Sequence, residues 1–182
     1  MKKLVTIIAA LALVSSAASA QKFGHIDFQE TVQLMNQMDE AMDKMAAAQQ
    51  AASETYQELV QEFQNKMSQY EQKKATWAST PSILQSKERE LEDLQNRIRE
   101  FQETVQQELS EQQQTLMAPI VEAAQQAVNK VAAEKGLAFV FDKANVLYID
   151  AAQSIDITAA VRTELGIPED RTIESVAAAR QA

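Results

Sequence analysis

His25 is the only histidine in the chain, and cysteine is absent. A zinc-type centre needs several nitrogen or sulfur ligands held together, so no metal site is expected. His25 reads instead as a partly buried strand residue. Asp27, Asp142 and Asp150 are the next groups with chemical potential, since paired carboxylates can do general acid–base work. Each stands at the end of a readable element, however, where caps and turns favour Asp, and that is the better account. No Gly-rich phosphate loop, nucleophile elbow or metalloprotease helix occurs. An enzyme is therefore the weakest functional reading, and no cofactor is expected.

The remaining candidates are apolar. Met35, Met38, Met42 and Met45 fall at helical spacing. They fit the core of a helical seam, or an adaptable surface, because Met repacks easily against varied partners. Trp77 precedes a chain break and is either a clasp between two arms or an exposed contact.

These residues must be positioned by two long helices. Met35, Met42, Gln49, Tyr56, Phe63, Tyr70 and Trp77 lie seven apart, with Met38, Met45, Ala52, Leu59 and Lys66 as a second series. After Ser79-Thr80-Pro81-Ser82, the heptad returns as Leu84, Leu91, Ile98 and Val105, with Leu94 and Phe101 interleaved. Two similar seams around a proline break predict an antiparallel helical hairpin. The outgoing helix is expected to start at a capping box, Asp27 with Glu30, and to run unbroken through Trp77, with roughly 63 Å between Met35 and Trp77 at 1.5 Å per residue. Thr80 and Pro81 suit the start of the second helix. A four-residue step after Val105 is a stutter, and Pro119 should kink the helix before Gly136 ends it.

The period then changes. Residues 137–142 and 145–150 read as two strands around a turn at Lys143-Ala144, and residues 22–28 as a short strand leading into a helix. In the first of the pair, Leu137, Phe139 and Phe141 should point one way, and Ala138 and Val140 the other. Both strands are apolar on both faces, more than so small a sheet can cover with its own chain. The Ala-rich helix end after Pro119 can cover one face. The other calls for another copy of the protein. Asp156 opens a last helix, which Gly166 and Pro168 end. The expected class is α+β, mostly α, with a long antiparallel coiled-coil hairpin projecting from a small β-stranded body. Its parts are a body of residues 21–34 and 119–166, a hairpin over 35–118 with its tip near 78–82, and a tail over 167–182.

Lys2 and Lys3, an apolar run to Val14 and the small residues Ala18-Ser19-Ala20 read as a secretory signal peptide cleaved after Ala20. A secreted chain without cysteine suits a bacterial periplasm. The formal charge is −9; without Lys2 and Lys3, 15 basic residues face 26 acidic ones, a net of −11. That argues against nucleic acid as a partner and against a simple electrostatic grip on anionic lipid, so membrane contact is at most transient.

The order of signal peptide, short strand, coiled-coil hairpin, Gly136-Leu-Ala-Phe-Val-Phe-Asp-Lys-Ala-Asn-Val-Leu-Tyr-Ile-Asp150 and Asp156-Ile-Thr-Ala resembles the Skp/OmpH family of periplasmic chaperones over roughly residues 22–166. The resemblance implies a homotrimer whose hairpins surround a cavity, holding unfolded outer-membrane proteins without ATP. It implies that Phe23, Ile26, Phe139, Phe141, Val146 and Tyr148 belong to the trimer body. Met67, Tyr70, Trp77, Ile83 and Leu84 would lie towards the tentacle ends as client contacts. The best-known members are basic, with positive tentacles thought to aid attraction to lipopolysaccharide. Here residues 42–118 hold eight basic and thirteen acidic residues, a net of −5, so no lipopolysaccharide site carries over. The rival reading is a structural adaptor of the cell envelope that docks one folded partner.

Overall fold

The computed structural model describes residues 22–181. The leader read over residues 1–20, with its cleavage after Ala20, lies outside the described residues. The described chain runs β1 (Lys22–Ile26), α1 (Phe28–Gln33), α2 (Asn36–Trp77), α3 (Pro81–Lys135) and β2 (Leu137–Asp142). A 3-10 turn (Lys143–Asn145), β3 (Ser154–Asp156), α4 (Thr158–Glu164) and α5 (Ile173–Gln181) complete it. Two compact units result: Asn36–Ile120 is one, and the described residues up to Met35 with those from Val121 onward form the other.

The Asn36–Ile120 unit is a helical hairpin. Its register is fixed by side chains that reach across it. Gln102 Nε2 donates to Tyr56 Oη at 3.1 Å, Arg97 stands 3.9 Å from Glu62, Lys66 Nζ lies 3.2 Å from Glu90, and Tyr70 Oη donates to Glu88 at 2.7 Å. The turn is closed by the Thr80 N–H on the Trp77 carbonyl at 2.8 Å, and the Thr80 carbonyl takes the first N–H groups of α3, from Ile83 and Leu84. Pro81 opens α3, where its missing N–H is harmless. The returning seam follows its heptad. Leu91 and Leu94 are buried, and Leu84, Ile98, Phe101, Val105, Leu109 and Leu116 are half-buried. The outgoing seam departs from expectation. Met42, Gln49 and Tyr56 are exposed, and the covered line instead passes through Met45, Ala52, Leu59, Phe63, Lys66 and Tyr70. One neighbouring helix covers only a narrow stripe, so it shelters one series over most of the arm. Pro119 lies inside α3, which continues past it to Lys135.

The expected unbroken outgoing helix is interrupted. α1 ends at Gln33 and α2 starts at Asn36. Leu34 and Met35 between them are almost wholly buried, so tertiary burial has overridden helical propensity. The start is as expected, with an Asp27 carboxylate oxygen accepting from the Glu30 N–H at 3.2 Å.

The other unit is built on a three-stranded sheet in the order β2-β1-β3, all parallel. The expected second strand at 145–150 does not form, and β3 arises later. The 3-10 turn is responsible. Asp142 Oδ1 accepts from the Ala144 N–H at 3.2 Å and steers the chain away from the β2 edge instead of folding it back as a hairpin. The register also slips, pairing Lys22 with Leu137 but Phe23 with Phe139. This irregularity puts Leu137 on the side of Val140, correcting the expected alternation: both pack against the core, while Phe139 and Phe141 remain exposed. The core joins Ile26 of β1, Ala127, Val128 and Val131 of α3, and Ile157 and Val161 at α4. The Ala-rich end of α3 thus covers one sheet face. Gly24 sits on the central strand, where a Cβ would come within 2.6 Å of Leu137 Cδ1 and 3.4 Å of the Ile155 carbonyl oxygen.

Candidate functional site

Two clusters hold the residues singled out from the sequence, one in each unit. The first lies on the sheet face opposite the core. Side chains alternate along a strand, so Phe23 and His25 of β1 share a face, as do Phe139 and Phe141 of β2. The three phenylalanine rings gather there, with centroids 6.1 Å apart for Phe23–Phe139, 6.4 Å for Phe23–Phe141 and 6.4 Å for Phe139–Phe141. Phe139 and Phe141 are nonetheless about half exposed. Beyond the 3-10 turn, Val146 is half-buried, Leu147 is fully exposed and Tyr148 is 80% exposed. Phe23, His25, Phe141, Val146, Tyr148 and Ile149 line a shallow, mostly apolar cavity of about 290 Å³. Ile26 stands apart from this group: it is buried in the core of its own chain.

His25 closes one side of that cavity. Its Nδ1 lies 2.8 Å from Ser154 Oγ and its Nε2 3.5 Å from Asp156 Oδ2, both on β3. Burial pushes the Asp156 carboxyl up. The Thr158 hydroxyl and backbone N–H, with His25 and Lys143, outweigh it and hold the group below its usual value. A serine, a histidine and an aspartate therefore meet, but each has a structural task. Asp156 Oδ1 accepts from the Thr158 N–H at 2.9 Å at the start of α4, and the Ser154–His25 bond ties β3 to β1. Asp27 and Asp142 likewise serve element ends, and Asp150 serves a turn in the loop before β3. Asp150 Oδ1 accepts from the Ala152 N–H at 2.9 Å, and Asp142 and Asp27 make the turn and cap bonds described above.

The second cluster is near the turn of the hairpin. Met67 and Ile83 are exposed, Trp77 and Leu84 are half-buried, and Tyr70 is buried. The Tyr70 ring lies 6.4 Å from Trp77, with Lys74 Nζ 5.4 Å from its centroid. The hydrogen bond to Glu88, aided by burial and by the nearby negative charge, raises the Tyr70 pKa above its usual value. Trp77 thus packs on an aromatic neighbour of its own arm, while Met67 and Ile83 offer open apolar surface. Beside them Glu90 bonds both Lys87, at 2.6 Å, and Lys66, at 3.2 Å, and these two hydrogen bonds hold its carboxyl below the usual range.

Sequence reasoning missed Ser154 beside the phenylalanine face. β3 has three residues, too few to show an alternation. It also missed the bond between Arg162 Nη2 of α4 and Glu30 Oε1 of α1 at 2.9 Å, which joins residues far apart in the chain. Among the described residues no group of acidic or histidine side chains could hold a metal ion, and no helix is long and apolar enough to cross a membrane.

A family model described as outer membrane protein (OmpH-like) matches residues 22–165. No curated protein matches the chain.

Proposed function

The chain belongs to the OmpH-like family, whose members are periplasmic chaperones and not enzymes, and on that premise we propose that it is an ATP-independent holdase for unfolded outer-membrane proteins. The observation that carries the reading is the family match across both units, from β1 through α4. The proposed working form is a homotrimer whose hairpins bound a cavity. The stacked Phe23, Phe139 and Phe141, with Val146 and Tyr148, are the apolar surface proposed to meet other copies. Ile26 backs that surface from the core.

Client contact is assigned to Met67 and Ile83, with Trp77 and Leu84 beside them. Tyr70 serves from inside the hairpin by holding Trp77 and Glu88 in place. Because the chain is acidic, capture relies on apolar and amide contacts more than on charge. Many weak contacts of this kind suppress aggregation without fixing one bound structure.

The test is to dilute an unfolded β-barrel protein from denaturant into buffer holding a stoichiometric amount of the chain. Light scattering should fall, and no nucleotide should be needed. Unchanged aggregation would defeat the proposal. Saturable binding of one folded envelope protein, with no effect on unfolded chains, would favour an adaptor.

A further inference from the structure

Residues 166–182 lie beyond the family match, which ends at residue 165, yet residues 166–181 are folded, and some of them are buried. Gly166, with φ at +68°, turns the chain after α4. The Pro168 carbonyl accepts from the Arg171 N–H at 3.1 Å. α5 then opens with a reciprocal cap: the Ser175 N–H donates to Thr172 Oγ1 at 3.1 Å, and the Thr172 N–H donates to Ser175 Oγ at 2.9 Å. Ile167 and Val176 are buried although most of α5 is exposed.

This local order places one side chain. Arg171 Nε donates to the Leu34 carbonyl oxygen at 2.7 Å. Leu34 is the residue at which α1 stops: its N–H bonds the Glu30 and Thr31 carbonyls, and the Met35 N–H bonds Val32. The last carbonyls of a helix lack intrahelical partners, and a basic side chain is one of the groups that can satisfy them. Leu34 and Met35 are almost wholly buried, so water is a poor substitute here.

We infer that residues 167–181 form a strap in which Arg171 caps α1 and keeps the buried Leu34–Met35 segment ordered. The tail thereby guards that segment against local opening. This goes beyond the chaperone reading and does not depend on it, since no client enters the test.

Amide hydrogen exchange on the full-length chain, with Arg171→Gln, Arg171→Lys and Val176→Asn variants, tests it. Arg171→Gln should speed exchange at residues 34–38 by about tenfold, the scale of losing one hydrogen bond from a charged donor. Arg171→Lys, which keeps a charged donor, should restore part of the protection. Val176→Asn lifts α5 without touching Arg171 and should give the same local pattern. Val128, Val131 and Val161 should stay protected throughout. Unchanged or slower exchange at 34–38 in Arg171→Gln, or equal loss across the whole unit, would overturn the strap.

Discussion

Glu90 stands between Lys66 on the outgoing helix and Lys87 on its own, and the same stretch of hairpin holds Tyr70 against Glu88. The two sites respond to pH in opposite directions. The Glu90 carboxyl is held down by its lysine partners, so its contribution to folding is complete above the ordinary carboxylate range and is lost as pH falls through the lowered value. The Tyr70 phenol is held up, chiefly by its bond to Glu88, so its contribution is complete below the ordinary phenol value and is lost as pH rises through the raised one. Glu90→Gln should therefore flatten the acid side of a melting-temperature profile, and Tyr70→Phe the alkaline side. Because Glu90 is partly exposed, its pairs are screened by salt, and their loss should cost less than about 1 kcal/mol. Asp27 offers a firmer single-residue test. Asp27→Ala removes the acceptor for the Glu30 N–H and should cost about 1 kcal/mol in urea denaturation, the usual cost of a lost N-cap.

At the scale of elements, the two arms are held most firmly where Tyr70, Leu91 and Leu94 are buried. Toward the base Met38 and Ile120 are also buried, and between these two stretches the seam is only half-covered. Leu94→Ala should therefore cost about 2–4 kcal/mol, the range for truncating a buried leucine. Ile98→Ala, one turn on and half-buried, should cost less. Urea melts followed by circular dichroism would check the order. The seam of α3 was legible because Leu, Ile and Val repeat at fixed spacing and a proline marks its start. α2 was harder to read, because Met42 and Tyr56 keep the heptad without being covered by the partner helix. β1 and β2 were legible as short strands, but the apolar run at 145–150 forms none and β3 was missed. The parallel order of the sheet, the slip at Leu137–Phe139 and the break at Leu34 all depend on contacts between distant residues, which a local pattern does not carry. The aspartates were correctly read as cap and turn residues, because such bonds are local chemistry. Arg171 on Leu34 was invisible for the opposite reason: 137 positions separate them.

At the scale of the whole molecule, association and folding can be separated by choosing between the two faces of the sheet. Ile26 lies in the core with Val128, Val131 and Val161, whereas Phe141 and Tyr148 lie on the exposed face. A charge placed at Ile26 would be buried without a partner, so Ile26→Asp should unfold the sheet unit. A charge at Phe141 stays in water in a lone chain and becomes costly only if another copy covers it. On the trimer proposal, Phe141→Asp should leave the circular dichroism spectrum intact while sedimentation shows dissociation to monomers. The wild-type assembly should also respond to salt in the direction opposite to the Glu90 pairs. Each copy carries a net negative charge, so copies repel at low ionic strength. Adding salt screens that repulsion and leaves apolar contact in place, so the apparent dissociation constant should fall between about 10 and 150 mM salt, as the Debye length shortens from roughly 30 to 8 Å. A constant that rises with salt would mean that ion pairs hold the copies together, and the phenylalanine face would lose its assigned role.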